Sequence, residues 1–288
     1  MDYHRHTLET PSRVFSGRQV WTASPRTANL GSLLVLLLAI FGITTHAAEP
    51  GLQELLSQGE AFEQKRETRP AIKAYLAAEK LSPTNAEVLI RLAKQYSDLI
   101  FETPLETGQK QLAVRCLDYA RRAVDSGPTN ARAHLSVAIC LAKNFPYLDN
   151  QTKVNYSREV KEPTEQASAL DPREDLAYHM LGCWHFEVAD MNGFLKLLMR
   201  AFYGGLPKGT FELAAANFRK AADLVPERVI HRVELARALL KTGSRKAALE
   251  QLKSCLAFKP TDKDDADAQT TARKMLGALG VKSDAPPK

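Results

Sequence analysis

This chain lacks the short motifs on which most enzymes depend. It has no phosphate-cradling glycine loop, because the stretch beginning at Gly204 has neither the glycine spacing nor a preceding strand, and neither His-Glu-x-x-His nor Gly-x-Ser-x-Gly occurs. Four cysteines are present, and no two of them have the Cys-x-x-Cys spacing of zinc or dithiol sites. We therefore predict that the protein is not an enzyme and has no catalytic residue, metal or cofactor.

A large excess of charge and an abundance of aromatic residues are also missing. Lys and Arg number 39 against 33 Asp and Glu, a formal net charge of +6, and aromatic residues make up 7% of the chain. The sequence has no basic stripe with interleaved aromatics, the pattern that is typical of nucleic-acid binding. It therefore predicts no nucleic-acid partner.

What the chain does contain is a repeat. A proline closes each of five successive segments, at Pro83, Pro128, Pro172, Pro226 and Pro260. With the first proline at position 32 of a 34-residue unit, small residues fall at positions 8, 20 and 27 and large ones at 4, 11 and 24, as in the tetratricopeptide signature. These residues are Gly59, Ala71 and Ala78, and Leu55, Phe62 and Tyr75. We predict an all-α, tetratricopeptide-like right-handed helical solenoid of about five helix pairs plus a C-terminal capping helix.

The units differ in the length of chain between their two helices. The second unit has about 11 extra residues, the third about 10 and the fourth about 20 relative to the repeat. Pro163 falls in the second helix of the third unit, and because proline has no backbone N–H we expect it to start, kink or break that helix. The fourth insertion, over 191–203, predicts a short extra helix.

That fourth insertion is so rich in apolar residues that something must cover it. Packing on the repeat core is the first interpretation, and a ligand or a membrane surface, with cationic side chains at headgroup level, is the alternative. The residues that would then contact lipid are Phe194, Leu197, Leu198, Arg200 and Phe202.

The beginning of the chain differs in composition from the repeats. Four arginines and two acids precede an apolar run over 33–43, and Ala47 and Ala48 follow it. The run is shorter than the roughly 20 residues that span a bilayer, so it is typical of a cleaved secretory signal. Export to the periplasm or the exterior is favoured, with a retained anchor over 30–48 or organelle import as alternatives. We divide the chain into 1–48, signal peptide or membrane anchor; 49–280, tetratricopeptide-repeat domain; and 281–288, polar tail.

In this fold, positions 2, 5, 9, 12 and 13 of each first helix line a concave groove, where partners bind. The set combines cations with an apolar floor, which suits an amphipathic helix or an acyl chain with an acidic head. Packing against the next superhelical turn is the alternative. The predicted groove residues are Lys94, Arg132, Leu135, Ile139, Lys143, His179, Cys183, Phe186, Glu187, Val233, Arg237, Leu240 and Lys241.

The histidine and cysteine residues raise two further questions, metal binding and disulfide formation. His179, Cys183 and Glu187 share one helix face at a spacing that could bind zinc, but groove lining explains the same spacing without a metal. Cys116 and Cys255 occupy repeat positions that need a small buried residue. We therefore expect free thiols, with a disulfide that involves Cys140 or Cys183 as the alternative.

Several segments resemble the regulator of microtubule dynamics family. The similarity is clearest at 181–190, 201–212 and 216–221, and extends to 116–123 and 134–141. The resemblance implies a tetratricopeptide superhelix without enzymatic activity. It also implies association with microtubules or, as in one membrane-anchored member, organelle tethering and phospholipid handling, and a cytoplasmic, cytoskeletal or organellar location.

From the residues and this resemblance we predict a non-enzymatic scaffold that binds a protein or peptide in its concave groove. A lipid-binding or membrane-tethering module and a microtubule-associated protein are the alternatives.

Overall fold

The computed structural model describes residues 50–205, 207–260 and 263–281. These residues belong to one compact unit that begins at Pro50, and they form helices and turns without a strand. The predicted all-α, tetratricopeptide-like solenoid is confirmed. The predicted leader at 1–48 and the polar tail after residue 281 lie outside the described residues, and the domain division stays a prediction.

Twelve α-helices occur within the described ranges. Five pairs, α1/α2, α3/α4, α5/α6, α7/α9 and α10/α11, each pack side by side, and each pair packs on the next. The short α8 lies within the turn of the fourth pair, and α12 caps the last. The helices are α1 (Leu52–Gln64), α2 (Thr68–Leu81), α3 (Ala86–Glu102), α4 (Glu106–Ser126), α5 (Ala131–Asn144), α6 (Asn150–Leu170), α7 (Asp175–Asp190), α8 (Gly193–Tyr203), α9 (Phe211–Leu224), α10 (Val229–Lys241), α11 (Arg245–Cys255) and α12 (Lys263–Ala278).

The turns between pairs are capped by polar side chains that precede the next helix. Asn85 accepts a hydrogen bond from the Val88 N–H, and Asn130 accepts from the N–H groups of Arg132 and Ala133. Such a cap contributes about 1 kcal/mol by satisfying donors that a helix start leaves unpaired. The turns that contain Pro83 and Pro128 therefore end one helix pair and begin the next.

Small residues allow the two helices of a pair to approach closely. A Cβ added at Gly59 would lie 2.3 Å from the Tyr75 ring, and one at Gly182 would lie 2.6 Å from the Phe218 ring. Both rings are fully buried, which contributes roughly 1.5–3 kcal/mol each. The repeat pattern read from the sequence therefore corresponds to real contacts between helices.

The core has two main clusters that meet on α7. The first cluster runs from α1 to α7 and includes Trp184 and Val188; the second runs from α7 to α12 and includes Phe186. The Trp184 indole N–H also donates to the Ser157 carbonyl of α6 at 2.6 Å. One helix thus supplies opposite faces to the two halves of the solenoid.

The extra residues of the second and third units lengthen helices, whereas we predicted separate insertions. Three residues, 103–105, separate α3 and α4, which have 17 and 21 residues. The extra length gives α3 additional buried residues, including Leu99 and Ile100. Longer helices thus bury more apolar surface than a loop of equal length would.

Of the effects expected for Pro163, a helix start and a helix break are wrong, because α6 begins at Asn150 and continues past the proline to Leu170. The helix tolerates the missing N–H because buried neighbours, Val160 and Thr164, hold this turn against the core. The Thr164 hydroxyl also donates to the Val160 carbonyl at 2.6 Å.

The predicted extra helix is present as α8, but the expected core packing is wrong for two of its side chains. Leu197 is 63% exposed and Phe202 74% exposed. The side chains of Phe194 and Leu198 lie outside the described part of the chain. Among the residues described, no helix has both the length and the apolarity needed to cross a bilayer.

The expectation of four free thiols is wrong. Cys116 of α4 and Cys140 of α5 form a disulfide with Cα atoms 5.6 Å apart, while Cys183 and Cys255 are free. Cys116 occupies a repeat position that needs a small residue because the next unit packs directly against it. Cys140 belongs to that next unit and lies opposite Cys116. The disulfide therefore joins the second and third units covalently.

Candidate functional site

The candidate site is the face formed by the first helices of the pairs, α1, α3, α5, α7 and α10. All thirteen predicted groove residues lie on four of these helices. First helices line the inner face of tetratricopeptide-like solenoids, which is the surface such proteins offer to partners.

Four of the predicted groove residues are buried and therefore absent from the accessible surface. Leu135, His179, Phe186 and Val233 are each at most 8% exposed. They pack between helices: His179 lies against Phe218 of α9, and Phe186 lies against Phe211 of the same helix. Burial leaves these four side chains little surface to offer a partner, and their assignment to partner binding stays a prediction.

The other nine remain accessible. Exposed positions are Lys94, Arg132, Glu187 and Lys241, and half-buried positions are Ile139, Lys143, Cys183, Arg237 and Leu240. Their assignment to partner binding stays a prediction.

The cations of this face have intramolecular partners. Lys94 pairs with Asp98 at 2.8 Å, and Arg132 lies 3.7 Å from Glu174. Exposed pairs of this kind contribute at most about 1 kcal/mol, so an incoming ligand can replace them at little cost.

Aromatic rings hold further cations of this face. The Arg237 guanidinium lies 4.7 Å from the Phe186 ring centre and pairs with Glu234 at 2.7 Å. Lys241 of α10 pairs with Asp190 of α7, and the Lys143 ammonium lies 4.0 Å from the Phe101 ring centre. These cation–π contacts and ion pairs fix the directions of the long side chains.

A charged cluster that sequence reasoning missed lies at the amino-terminal end of this face. Arg91 of α3 contacts three carboxylates: Glu60 at 2.9 Å, Glu63 at 3.3 Å and Glu87 at 2.7 Å. Only the Glu87–Arg91 spacing of four residues was visible in the sequence. The cluster lines an open cleft of about 430 Å³.

The same cluster reaches into the core through Tyr75. The Tyr75 hydroxyl donates to Glu63 at 2.9 Å, and burial together with the Glu63 charge raises the pKa of this tyrosine well above its usual range. The hydroxyl therefore stays protonated and anchors the carboxylate that binds Arg91.

At the other end of the face lies the half-buried Cys183. Burial, and then the charges of Glu234 and Glu187, raise the pKa of this thiol well above its usual range. A protonated thiol is a poor nucleophile and a poor metal ligand. Among the described residues, no group of three or more His, Cys, Asp or Glu side chains has a geometry that could bind a metal ion.

His179, the third member of the supposed zinc triad, belongs instead to a buried polar network between α7 and α10. Its Nδ1 lies 3.0 Å from Nδ1 of His231, whose Nε2 lies 2.7 Å from Asp175. Arg228 donates to the same carboxylate at 2.7 Å. Burial, and then the charges of His231 and Arg228, lower the pKa of His179 to about 3.

Comparison with known proteins identifies relatives over most of the chain. The sequence model of one family, Regulator of microtubule dynamics protein 1-3, matches residues 54–280. Regulator of microtubule dynamics protein 1 of Mus musculus is 26% identical over 230 residues, which cover 79% of this chain and 75% of the relative. Regulator of microtubule dynamics protein 3 of Xenopus laevis is 29% identical over 193 residues, which cover 67% of this chain and 42% of the relative.

A solved structure supports the architecture independently. The crystal structure of a thermophilic TPR protein of Thermus thermophilus superposes with a TM-score of 0.56 at 19% identity, covering 77% of this chain and 98% of that chain. At this identity the likeness establishes the fold alone.

Proposed function

This chain belongs to the regulator of microtubule dynamics family, and from that premise we propose that it is a non-enzymatic scaffold that binds a protein partner along its first-helix face. Tetratricopeptide-like solenoids present long curved surfaces rather than enclosed pockets. Such surfaces suit extended or helical segments of other proteins.

The observation that carries this proposal is the set of ion pairs that cross between neighbouring first helices. Arg91 of α3 binds Glu60 and Glu63 of α1, and Lys241 of α10 binds Asp190 of α7. Side chains already held in place lose less conformational entropy when a partner binds. Half-buried Ile139 and Leu240 add apolar contact area beside them.

Site-specific photo-crosslinking tests the proposal. A photoreactive amino acid placed at Lys94 or Lys241, on first helices, is expected to form adducts with a discrete protein in the native compartment. The matched controls are Lys73 and Lys253, exposed lysines on the second helices α2 and α11, which should not form them. Adducts of equal yield at all four positions, or none at the first two, would overturn the proposal.

Compartment decides which partners the chain can meet. We propose export through the leader at 1–48, and the Cys116–Cys140 disulfide supports this, since structural disulfides persist in oxidising compartments. A microtubule partner, which the names of the relatives suggest, would instead need a cytosolic chain. Mass measurement of the intact mature protein decides between the two: a mass without residues 1–48 favours export, and a full-length cytosolic product contradicts it.

A second candidate function, membrane contact through α8, has its own supporting observation. Leu197 and Phe202 are exposed, and Lys196 and Arg200, both exposed, are the charged residues of this helix. Amphipathic helices with such composition lie in the interface of anionic membranes.

Vesicle co-sedimentation tests this second function. Binding to phosphatidylserine-containing vesicles is expected to exceed binding to phosphatidylcholine vesicles and to fall in a Leu197→Asp/Phe202→Asp variant. Leu81→Asp is the matched control, because Leu81 is 52% exposed on the unrelated helix α2. Equal loss in both variants would contradict a specific role for α8.

A further inference from the structure

A second groove, separate from the cluster around Arg91, opens between the second helices α4 and α6, with α5 at its base. Its volume is about 570 Å³, within the range of small binding pockets. None of the thirteen predicted groove residues lines it. The eleven residues that do are Arg121, Val124, Asp125, Pro128, His134, Val137, Leu141, Glu159, Glu162, Pro163 and Gln166.

The base of this groove is apolar. Val124 and Val137 are partly exposed there, and Leu141 lies beneath them in the core. Pro128 and Pro163 add apolar ring surface on either side. An apolar side chain that entered would replace water against five hydrocarbon groups, which is favourable.

The rim of the groove is rich in hydrogen-bond acceptors. Asp125, Glu159 and Glu162 are exposed carboxylates, and Arg121 is the one cation among the lining residues that the structure describes. Arg121 lies 3.5 Å from Glu159. The lining therefore carries a local excess of negative charge, although the whole chain has a formal net charge of +6.

Pro163 removes one backbone hydrogen bond from α6 beside the groove. Because proline has no N–H, the Glu159 carbonyl lacks the donor that the residue four positions later supplies elsewhere in a helix. This carbonyl belongs to a residue that already lines the groove. A proline in the middle of α6 therefore costs helix stability, and its ring contributes apolar surface to the groove.

We propose that this groove binds a short protein segment in which Lys or Arg residues flank an apolar side chain. The apolar residue contacts the valine and proline surface, and the cations donate to the carboxylates of Asp125, Glu159 and Glu162. An acidic peptide or a phosphate-bearing ligand would meet like charge at the rim, which disfavours it. The inference does not depend on the first-helix face, since the two surfaces share no residue.

Two fluorescein-labelled peptides provide the probe, one alternating Lys with Leu and one alternating Glu with Leu. Fluorescence anisotropy with the disulfide-intact domain is expected to show binding of the Lys peptide and much weaker binding of the Glu peptide. The net positive charge of the chain opposes nonspecific capture of the cationic peptide, so binding reports a local acidic site.

Substitutions in α6 locate that site. Glu159→Lys/Glu162→Lys should weaken binding of the Lys peptide by about tenfold or more, because like charges then face each other. Glu165→Lys is the matched control: Glu165 is exposed on the same helix but lies outside the groove. Equal weakening in the two variants would mean diffuse electrostatic attraction and would overturn the proposal.

A gain of affinity guards against misfolding as an explanation. Arg121→Gln removes the competing cation, so the Lys peptide should bind more tightly, by a few-fold. Unchanged or weaker binding in this variant, or no binding of the Lys peptide to the wild-type domain, would also overturn the proposal. Loss of crosslinks at Lys94 and Lys241 would not affect it, so the two proposals fail separately.

Discussion

Two contacts between neighbouring repeats, here called junctions, hold their helices together by different chemistry. At the junction of α4 and α5, Cys116 is bonded to Cys140, and the Asn144 amide donates to the Ala113 carbonyl at 2.8 Å. At the junction of α7 and α10, which are both first helices, the Asp175–His231–His179 network places titratable groups between two units. We therefore expect the first junction to respond to reductant and the second to protons.

The facing Nδ1 atoms of His179 and His231 share one hydrogen bond, which needs one proton. Nδ1 of His179 and Nδ1 of His231 are 3.0 Å apart, so one of them must donate and the other accept. Protonating both rings would place two N–H donors and two positive charges face to face in a buried site, which the single charge of Asp175 offsets only in part. Burial and this contact therefore oppose protonation of His179 in the folded state.

The largest expected effect comes from breaking the first junction. Replacing Cys116 and Cys140 by alanine should lower the free energy of unfolding by roughly 3 kcal/mol, because the bond closes a loop between residues 24 apart. Denaturant titration with and without reductant measures it. Reductant should destabilise the native protein and leave the double variant unchanged; a native protein insensitive to reductant would contradict the disulfide.

The second junction should weaken as the pH falls. The folded-state pKa of His179 is about 3, below its ordinary 6.5, so the unfolded chain binds more protons between these values. Stability contributed by neutral His179 is therefore complete above pH 6.5 and is lost as the pH falls towards 3, by about 2 kcal/mol at pH 5. Denaturant titrations across this range measure the loss.

A variant separates this effect from general acid sensitivity. His179→Phe removes the titrating ring from beside Phe218, so the variant should lose most of the pH dependence between about 6.5 and 5 even if its stability at neutral pH is lower. Hydrogen exchange should locate the acid-induced opening in α7 and α10 and leave α4 and α5 protected. A uniform opening, or an unchanged pH slope in the variant, would refute the contrast between the junctions.

The helix pairs could be predicted from the sequence. A disulfide at Cys140 was only the alternative to free thiols, its partner Cys116 was not identified, and the histidine network was not predicted. Small residues recur at fixed positions of the repeat, and Gly59 and Ala71 are those of the first unit. Their packing role therefore follows from spacing within a unit. The disulfide joins residues 24 apart, and Asp175 contacts His231 across 56 positions, between different units. Spacing within a single unit carries no information about which side chain the next unit places opposite.

The candidate site divides in the same way. Exposed Lys94 and Lys241 were found because repeat position alone places them on a first helix. Burial of His179 and Phe186 depends on how closely α9 and α10 approach α7. The cluster around Arg91 requires α1 and α3 together. Long-range approach between helices, rather than residue type, separates the exposed groove residues from the buried ones.

The smallest expected effect concerns the charged cluster around Arg91, which lies on α1 and α3, away from both junctions. Arg91→Met should keep the apolar stem and lose pairing with Glu60, Glu63 and Glu87, lowering stability by about 1 kcal/mol or less, since the arginine side chain is 23% exposed and solvent screens the pairs. The loss should shrink further at high salt. Because the cluster contacts neither junction, the variant should keep both the reductant response and the pH response of the native protein. A change in either response would mean that the amino-terminal end of the first-helix face is coupled to the junctions. The disulfide and the histidine network would then not act only within their own pairs of helices.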